Sequence, residues 1–202
     1  SKDFASKQFQ LNASKEFLEQ WEKEFPVTIH NIKDEQTAFK DAGIHPIPPY
    51  LREDPAIINK AKKEDFADII QTSDIKGIVH SHSDWSDGLN SIEDMAKACI
   101  QEGFQYLVIS DHSKSAFYAN GLSEERIKAQ HQYIDELNNK LHPFKIFKSI
   151  ECDILNDGSL DYADSILGTF DLVIASVHSN LKMNEEKAMQ RVLKAIENPY
   201  TR

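Results

Sequence analysis

His80, His82, Asp87, His112, Glu151 and His178 have the types and spacing in this 202-residue sequence that suit metal-assisted chemistry. His80-Ser-His82 closes an apolar, strand-like run. Side chains alternate faces along a strand, so the two imidazoles point the same way. His-x-His alone is a weak signal, because two exposed polar residues at a strand end read identically. Asp87 follows within Asp84-Trp-Ser-Asp-Gly88, where Gly88 suits a tight turn that presents an acidic side chain beside the strand end. Asp111-His112 ends a second run, and His178 ends a fourth within Ala175-Ser-Val-His-Ser179. Glu151 lies in an apolar third run, where a carboxylate without a cation or strong donors is costly. Imidazoles mixed with carboxylates form the nitrogen and oxygen set that suits zinc, manganese or iron.

The elements that must position these groups follow from hydrophobic pattern. Strand-like runs at Gly77–His82, Tyr106–His112, Lys145–Ile154 and Leu172–Ser179 alternate with amphipathic helices, the pattern of a parallel α/β architecture. Ser91-Ile-Glu-Asp94 offers a capping box for a helix carrying Ile92, Met95, Ala96, Cys99 and Ile100, stopped at Gly103. A second helix begins near Ser123, with Ile127, Ile134, Leu137 and Leu141 on one side. A last one spans about Asn184–Asn198, with Met189, Val192, Leu193 and Ile196. Four strands with their helices make about half a barrel. In parallel barrels the strand C-terminal ends converge on one face. Each run delivers a histidine or carboxylate near that end, so all six groups are expected at a common rim.

Residues 1–52 read as a short strand and two helices, with Phe17, Leu18, Trp21 and Phe25 at helical spacing and Asp34 capping a helix that ends at Gly43. That is too little for an independent core. Three prolines within Pro46-Ile-Pro-Pro49 favour a stiff, extended connection. Residues 53–74 read as a linker with a helix from about Pro55 to Asp65, and residues 75–202 as the α/β domain.

A formal net charge of −10 argues against an extended basic surface for gripping DNA, although bound divalent ions supply local positive charge in an acidic protein. No apolar run approaches a membrane-spanning length, and Ser1–Gln10 lacks the basic-then-apolar order of a signal peptide, so a cytoplasmic protein with no membrane partner is expected. Cys99 and Cys152 give no disulfide framework and are expected reduced and buried. His30, His45, His131 and His142 are expected to be structural or on the surface. Lys114 and Ser179, beside strand ends, read first as exposed loop residues and, on the functional alternative, as candidates for phosphate contact.

The site residues also carry a resemblance. His80-x-His82 with Trp85-Ser-Asp-Gly88, then Ser110-Asp-His-Ser113, Glu151-x-Asp153 and Ser176-Val-His-Ser179 resemble successive signatures of the PHP (polymerase and histidinol phosphatase) superfamily. The form is similar to that of bacterial-type family X DNA polymerases, as are Asp157-Gly-Ser-Leu-Asp161 and Ala195-Ile-Glu-Asn-Pro199. Upstream, Asn12-Ala-Ser-Lys-Glu-Phe17 and Ile47-Pro-Pro-Tyr-Leu-Arg52 resemble the closing part of the polymerase module. The resemblance implies an incomplete, distorted TIM-like barrel holding up to three divalent metals, zinc or manganese, with iron as a further option. It implies His80 and His82 on one metal with Glu151, Glu151 bridging to a second metal bound by His178, and Asp87 with His112 on a third. Such clusters acidify water and polarise phosphoryl oxygens.

The implied activity is hydrolysis of phosphoesters at DNA 3′ ends, as exonuclease or phosphatase, in DNA repair. DNA would be met through the full-length polymerase. The family's Gly-His-Pro and Asp-x-His strand ends are not in the sequence, nor are the polymerase's palm-domain acidic residues. Weakened hydrolysis, no polymerisation, and a barrel edge open to homodimerisation are therefore expected. The alternatives are an inactive module supporting the polymerase, or a small-molecule phosphatase of the histidinol-phosphate kind.

Overall fold

The computed structural model describes residues 4–27 and 29–202, so readings that involve Ser1–Asp3 lie partly outside the described residues. The chain divides into two compact units, Ser1–Thr72 and Ser73–Arg202.

In the first unit, helix α1 (Phe4–Leu11) stands where a strand was a candidate, and no strand is found among its described residues. Helix α2 (Lys15–Glu24) starts at Ser14, whose hydroxyl accepts from the Phe17 amide. It buries Phe17 and Trp21 one turn apart, and the Trp21 ring meets Phe9 edge-on at 5.1 Å and Phe39 at 5.2 Å. Helix α3 (Glu35–Ala42) runs from the Asp34 cap to Gly43 in the left-handed region, as its sequence predicts. Helix α4 (Ile57–Ala61) is shorter than the expected Pro55–Asp65 helix, because tight turns flank it on both sides. Contrary to the expected lack of a core, Phe9, Phe17, Trp21, Phe39, Ile47, Ile58, Ala61 and Phe66 form a buried cluster. Residues 53–74, read as linker, supply three of its members. Arg52 is buried beneath it, paired with Glu35 at 2.7 Å, donating to the Ile47 carbonyl and lying over the Phe9 and Phe39 rings.

The second unit is α/β. Strands β1 (Gly77–Ser81), β2 (Tyr106–His112), β3 (Lys145–Asp153) and β4 (Leu172–Ser176) form a parallel sheet in the order β1-β2-β3-β4, half of a TIM-like barrel. Helix α5 (Ile92–Gln101) connects β1 to β2, α6 (Glu124–Lys140) connects β2 to β3, and the short α7 (Asp164–Leu167) precedes β4. Capping sets the boundaries: Ser91 and Ser123 each accept from the amide three residues on, and Gly103 at φ +82 follows α5.

Register fixes which side chains share a face. His112 pairs with Glu151, and Asp153 with Ser176, so Ser110, His112, Ser149, Glu151, Asp153 and Ser176 line one side of the sheet. The other side presents Leu107, Ile109 and Ile146 to Ile92, Ala96, Ile134 and Leu137 of α5 and α6. It also presents Ile150, Cys152 and Val173 to a second buried group with Leu122, Ile127, Leu167 and Ala195. Both cysteines are free and buried.

Helix α8 (Glu185–Glu197) has the predicted span and the Asn184 cap, but the opposite orientation. Met189, Val192, Leu193 and Ile196 are exposed, while Arg191 and Ala195 are buried. The guanidinium of Arg191 explains the inversion, since it donates to the carbonyls of Ile154, Leu155 and Ser179. The β4 edge is partly covered, because Thr201 bridges to Val173 and Arg202 donates to the Val173 carbonyl. No helix among the described residues is long and apolar enough to cross a membrane.

Candidate metal centre

The six predicted residues come together at the C-terminal ends of the strands. Glu151 is the hub. Its Oε2 lies 3.4 Å from His80 Nε2, 3.2 Å from His82 Nε2 and 3.2 Å from His112 Nδ1, and its Oε1 lies 3.1 Å from His178 Nε2. Asp87 extends the group, with Oδ1 2.9 Å from His82 Nδ1 and Oδ2 3.5 Å from His112 Nε2. Three overlapping sets could each hold an ion: His80, His82 and Glu151; His82, Asp87 and His112; His112, Glu151 and His178.

The way β1 delivers its two histidines departs from plain alternation. The pairing steps from Ile78↔Leu107 to Ser81↔Ile109, one extra residue on β1, and His80 sits at φ +64. A left-handed non-glycine residue costs on the order of 1–3 kcal/mol and persists where surrounding contacts hold it. Here they do: the His80 and His82 rings stack at 5.5 Å, and His82 meets His112 edge-on at 4.3 Å.

The electrostatics favour ligand-ready forms. Burial alone would raise the Glu151 carboxyl, but the Ser176 hydroxyl and the imidazoles of His178, His80 and His112 outweigh it and hold it below its ordinary value. Asp87 is likewise pushed up by burial and more than pulled back by His82 and His112. Burial, then the neighbouring His82, keeps the His112 imidazole low and therefore neutral. The buried Nδ1 atoms of His112 and His178 have no hydrogen-bond partner, although each is near a carboxylate, so their approach to it is off hydrogen-bond geometry. Buried imidazole nitrogens without a hydrogen-bond partner, grouped around a carboxylate, fit a divalent cation better than they fit each other.

A shell of supporting residues went unassigned in the sequence. Asp111 is fully buried on the sheet face opposite His112. It accepts from the Ser83 amide (2.7 Å), the Ser83 hydroxyl (2.7 Å), the Ser86 hydroxyl (2.6 Å) and Gln130 Nε2 (2.7 Å). It thereby fixes the loop that carries His82 and Asp87. Asp153 accepts from the Ser113 hydroxyl and lies 3.4 Å from His178 Nδ1, and Ser176 Oγ is 3.1 Å from His178 Nε2. Asp111 and Asp153 stood inside the motifs, and the signal that could have found them is a carboxylate in a run otherwise too apolar to leave it unpaired. Gly88 closes the loop from Ser83, and a Cβ there would come within 2.3 Å of the His82 carbonyl oxygen. Lys114 pairs with Glu124 at 3.6 Å and lies over the Tyr162 ring. His131 packs edge-on against Phe170, apart from the cluster, and in the first unit His30 meets Gln10.

Residues 79–201 match the family model described as PHP domain. In Bacillus subtilis (strain 168), the DNA polymerase/3'-5' exonuclease PolX is 42% identical to this chain over 172 residues. The match covers 85% of this chain and 30% of that relative, so the chain spans less than a third of the relative's length.

Proposed function

Since the chain belongs to the PHP domain family, we propose that it carries a metal-dependent phosphoesterase site acting on DNA 3′ ends, as part of a family X polymerase that serves DNA repair in the cytoplasm. The observation that carries this reading is one carboxylate, Glu151, within 3.4 Å of four imidazoles and flanked by Asp87. His80, His82, Asp87, His112, Glu151 and His178 are the proposed ligands. Divalent ions there, manganese or zinc, would acidify water and polarise the phosphoryl oxygens.

The chain's own residues do the rest. Glu151 would offer its carboxylate to the ions, while His82, with Nδ1 held by Asp87, would offer Nε2. Asp87 is nearly half exposed, so a substrate could reach the cluster on its side. Residues 1–52 are proposed to be the end of the polymerase module, 53–74 a connecting segment, and 75–202 the PHP domain. The 3'-5' exonuclease in the relative's name supports the choice of DNA ends over small phosphates.

The test is elemental analysis of the purified chain, with manganese-dependent release of nucleotides from single-stranded DNA and of phosphate from sugar phosphates. Glu151→Gln serves as the control. The proposal expects bound divalent metal, turnover on DNA ends, and loss of both in Glu151→Gln. Tight stoichiometric metal without turnover on either substrate makes the chain a structural module, and turnover on sugar phosphates alone makes it a small-molecule phosphatase.

A further inference from the structure

An exposed aromatic pair stands beside the metal cluster on a loop that is otherwise locked in place. Phe117 is 85% exposed and Tyr118 65% exposed, their rings 6.0 Å apart, and the Tyr118 ring lies 6.4 Å from that of His112. The loop does not leave them outside for want of anchoring. Ala116 and Ala119 on either side are buried. Asp161 accepts from both the amide and the hydroxyl of Ser115, at 2.6 Å each, and the Lys114 amide donates to the Tyr162 hydroxyl. Asn120, left-handed at φ +55, donates to the Trp85 carbonyl, while Arg126 donates to the carbonyls of Asn120 and Gly121. A rigid loop that buries two alanines and presents two large aromatic rings beside a catalytic cluster has the form of a binding platform.

The nature of the ligand follows from charge. The chain carries a net −10, and the cations flanking the loop are occupied, Lys114 by Glu124 and Arg126 by backbone carbonyls. Little of the affinity for a nucleotide can then come from basic side chains. Stacking of a base on aromatic rings needs no charge and tolerates any sequence, as processing of DNA ends requires.

We propose that Phe117 and Tyr118 stack the base of the nucleotide whose phosphoester lies at the metal cluster, which makes them the residues that select nucleotides over other phosphoesters. This rests on the phosphoesterase reading above.

The two can be separated by calorimetric titration of the manganese-loaded chain with inorganic phosphate, deoxyribose phosphate and thymidine monophosphate. The expected result is that the nucleotide binds about 10- to 100-fold more tightly than deoxyribose phosphate. Phe117→Ala with Tyr118→Ala should remove that advantage while leaving the two base-free ligands and the metal content unchanged. Both side chains are exposed, so the variant keeps its fold, which circular dichroism checks. If the base-free phosphates bind but the base adds nothing, or its advantage survives the double substitution, the stacking role is overturned and the phosphoesterase reading stands. If none of the three binds, the metal-site reading fails and the platform fails with it.

Discussion

Removing the Asp111 carboxylate should unseat the loop that carries His82 and Asp87, with a cost that depends on what replaces it. Of its four donors, the Ser83 and Ser86 hydroxyls can rotate to other acceptors, but without the carboxylate the Ser83 amide and Gln130 Nε2 lose the acceptor each uses, in a region closed to water. Each buried donor left unpaired costs about 1–3 kcal/mol, so Asp111→Ala should destabilise the second unit by about 2–6 kcal/mol. Asp111→Asn keeps an acceptor for the Ser83 amide, and Gln130 can turn its own amide to accept from the new NH2 group. Its cost should be about 1–2 kcal/mol, the difference between charged and neutral acceptors. Trp85 lies within the affected loop and Trp21 in the other unit, so urea unfolding followed by Trp85 fluorescence in a Trp21→Phe background isolates the response. Manganese affinity should fall in the same order, Ala more than Asn. An alanine variant within about 1 kcal/mol of the parent, or an asparagine variant as unstable as alanine, would refute the reasoning.

Gly88→Ala puts a Cβ 2.3 Å from the His82 carbonyl oxygen and should cost about 1–3 kcal/mol in urea unfolding, with weaker manganese binding; full metal affinity would show that the loop yields freely. Replacing His80, at φ +64, by glycine should give a chain about 1 kcal/mol more stable than replacing it by alanine, both having lost the ligand, and equal melting curves would mean the left-handed conformation is not retained. In the metal-free chain the folded-state values of His112, Asp87 and Glu151 all lie below their ordinary ones. Each group therefore binds its proton more readily when unfolded. Their contribution is fully present above the ordinary histidine value of about 6.5 and is lost as pH falls through the lowered folded-state values. Thermal melts in chelator should show stability rising with pH up to about 6.5, through His112 nearest that limit and through the two carboxylates below their ordinary values of about 4, and a flat or falling profile would count against the site's electrostatics.

What could be read in the sequence was whatever depends on local period and end chemistry. The caps at Asp34 and Ser91, the helix starts at Ser123 and Asn184, and the strands that carry His112 and Glu151 follow from residues adjacent in the chain. Long-range choices were not readable in this way. The apolar stripe of α8 named a face but not its direction, because the decision lay with Arg191 and three carbonyls that no periodicity connects. The core of the first unit was missed because Ile58, Ala61 and Phe66 join it from beyond a proline-rich stretch.

The instructive case is the His80-x-His82 pair, for which alternation predicted a shared face without saying which one. Ile78 is in register with Leu107, on the side packed by α5 and α6, and an unbroken strand would carry residues 80 and 82 to that same side, away from His112 and Glu151. A shift of one residue exchanges the two faces of a strand. The extra residue between Ile78 and Ser81 makes that shift, with His80 taking up the left-handed turn, and both imidazoles reach Glu151. The strain at His80 is therefore what allows one strand to contribute Ile78 to the packed layer and two imidazoles to the opposite side, and the proposed metal site depends on it as much as on the identity of its residues.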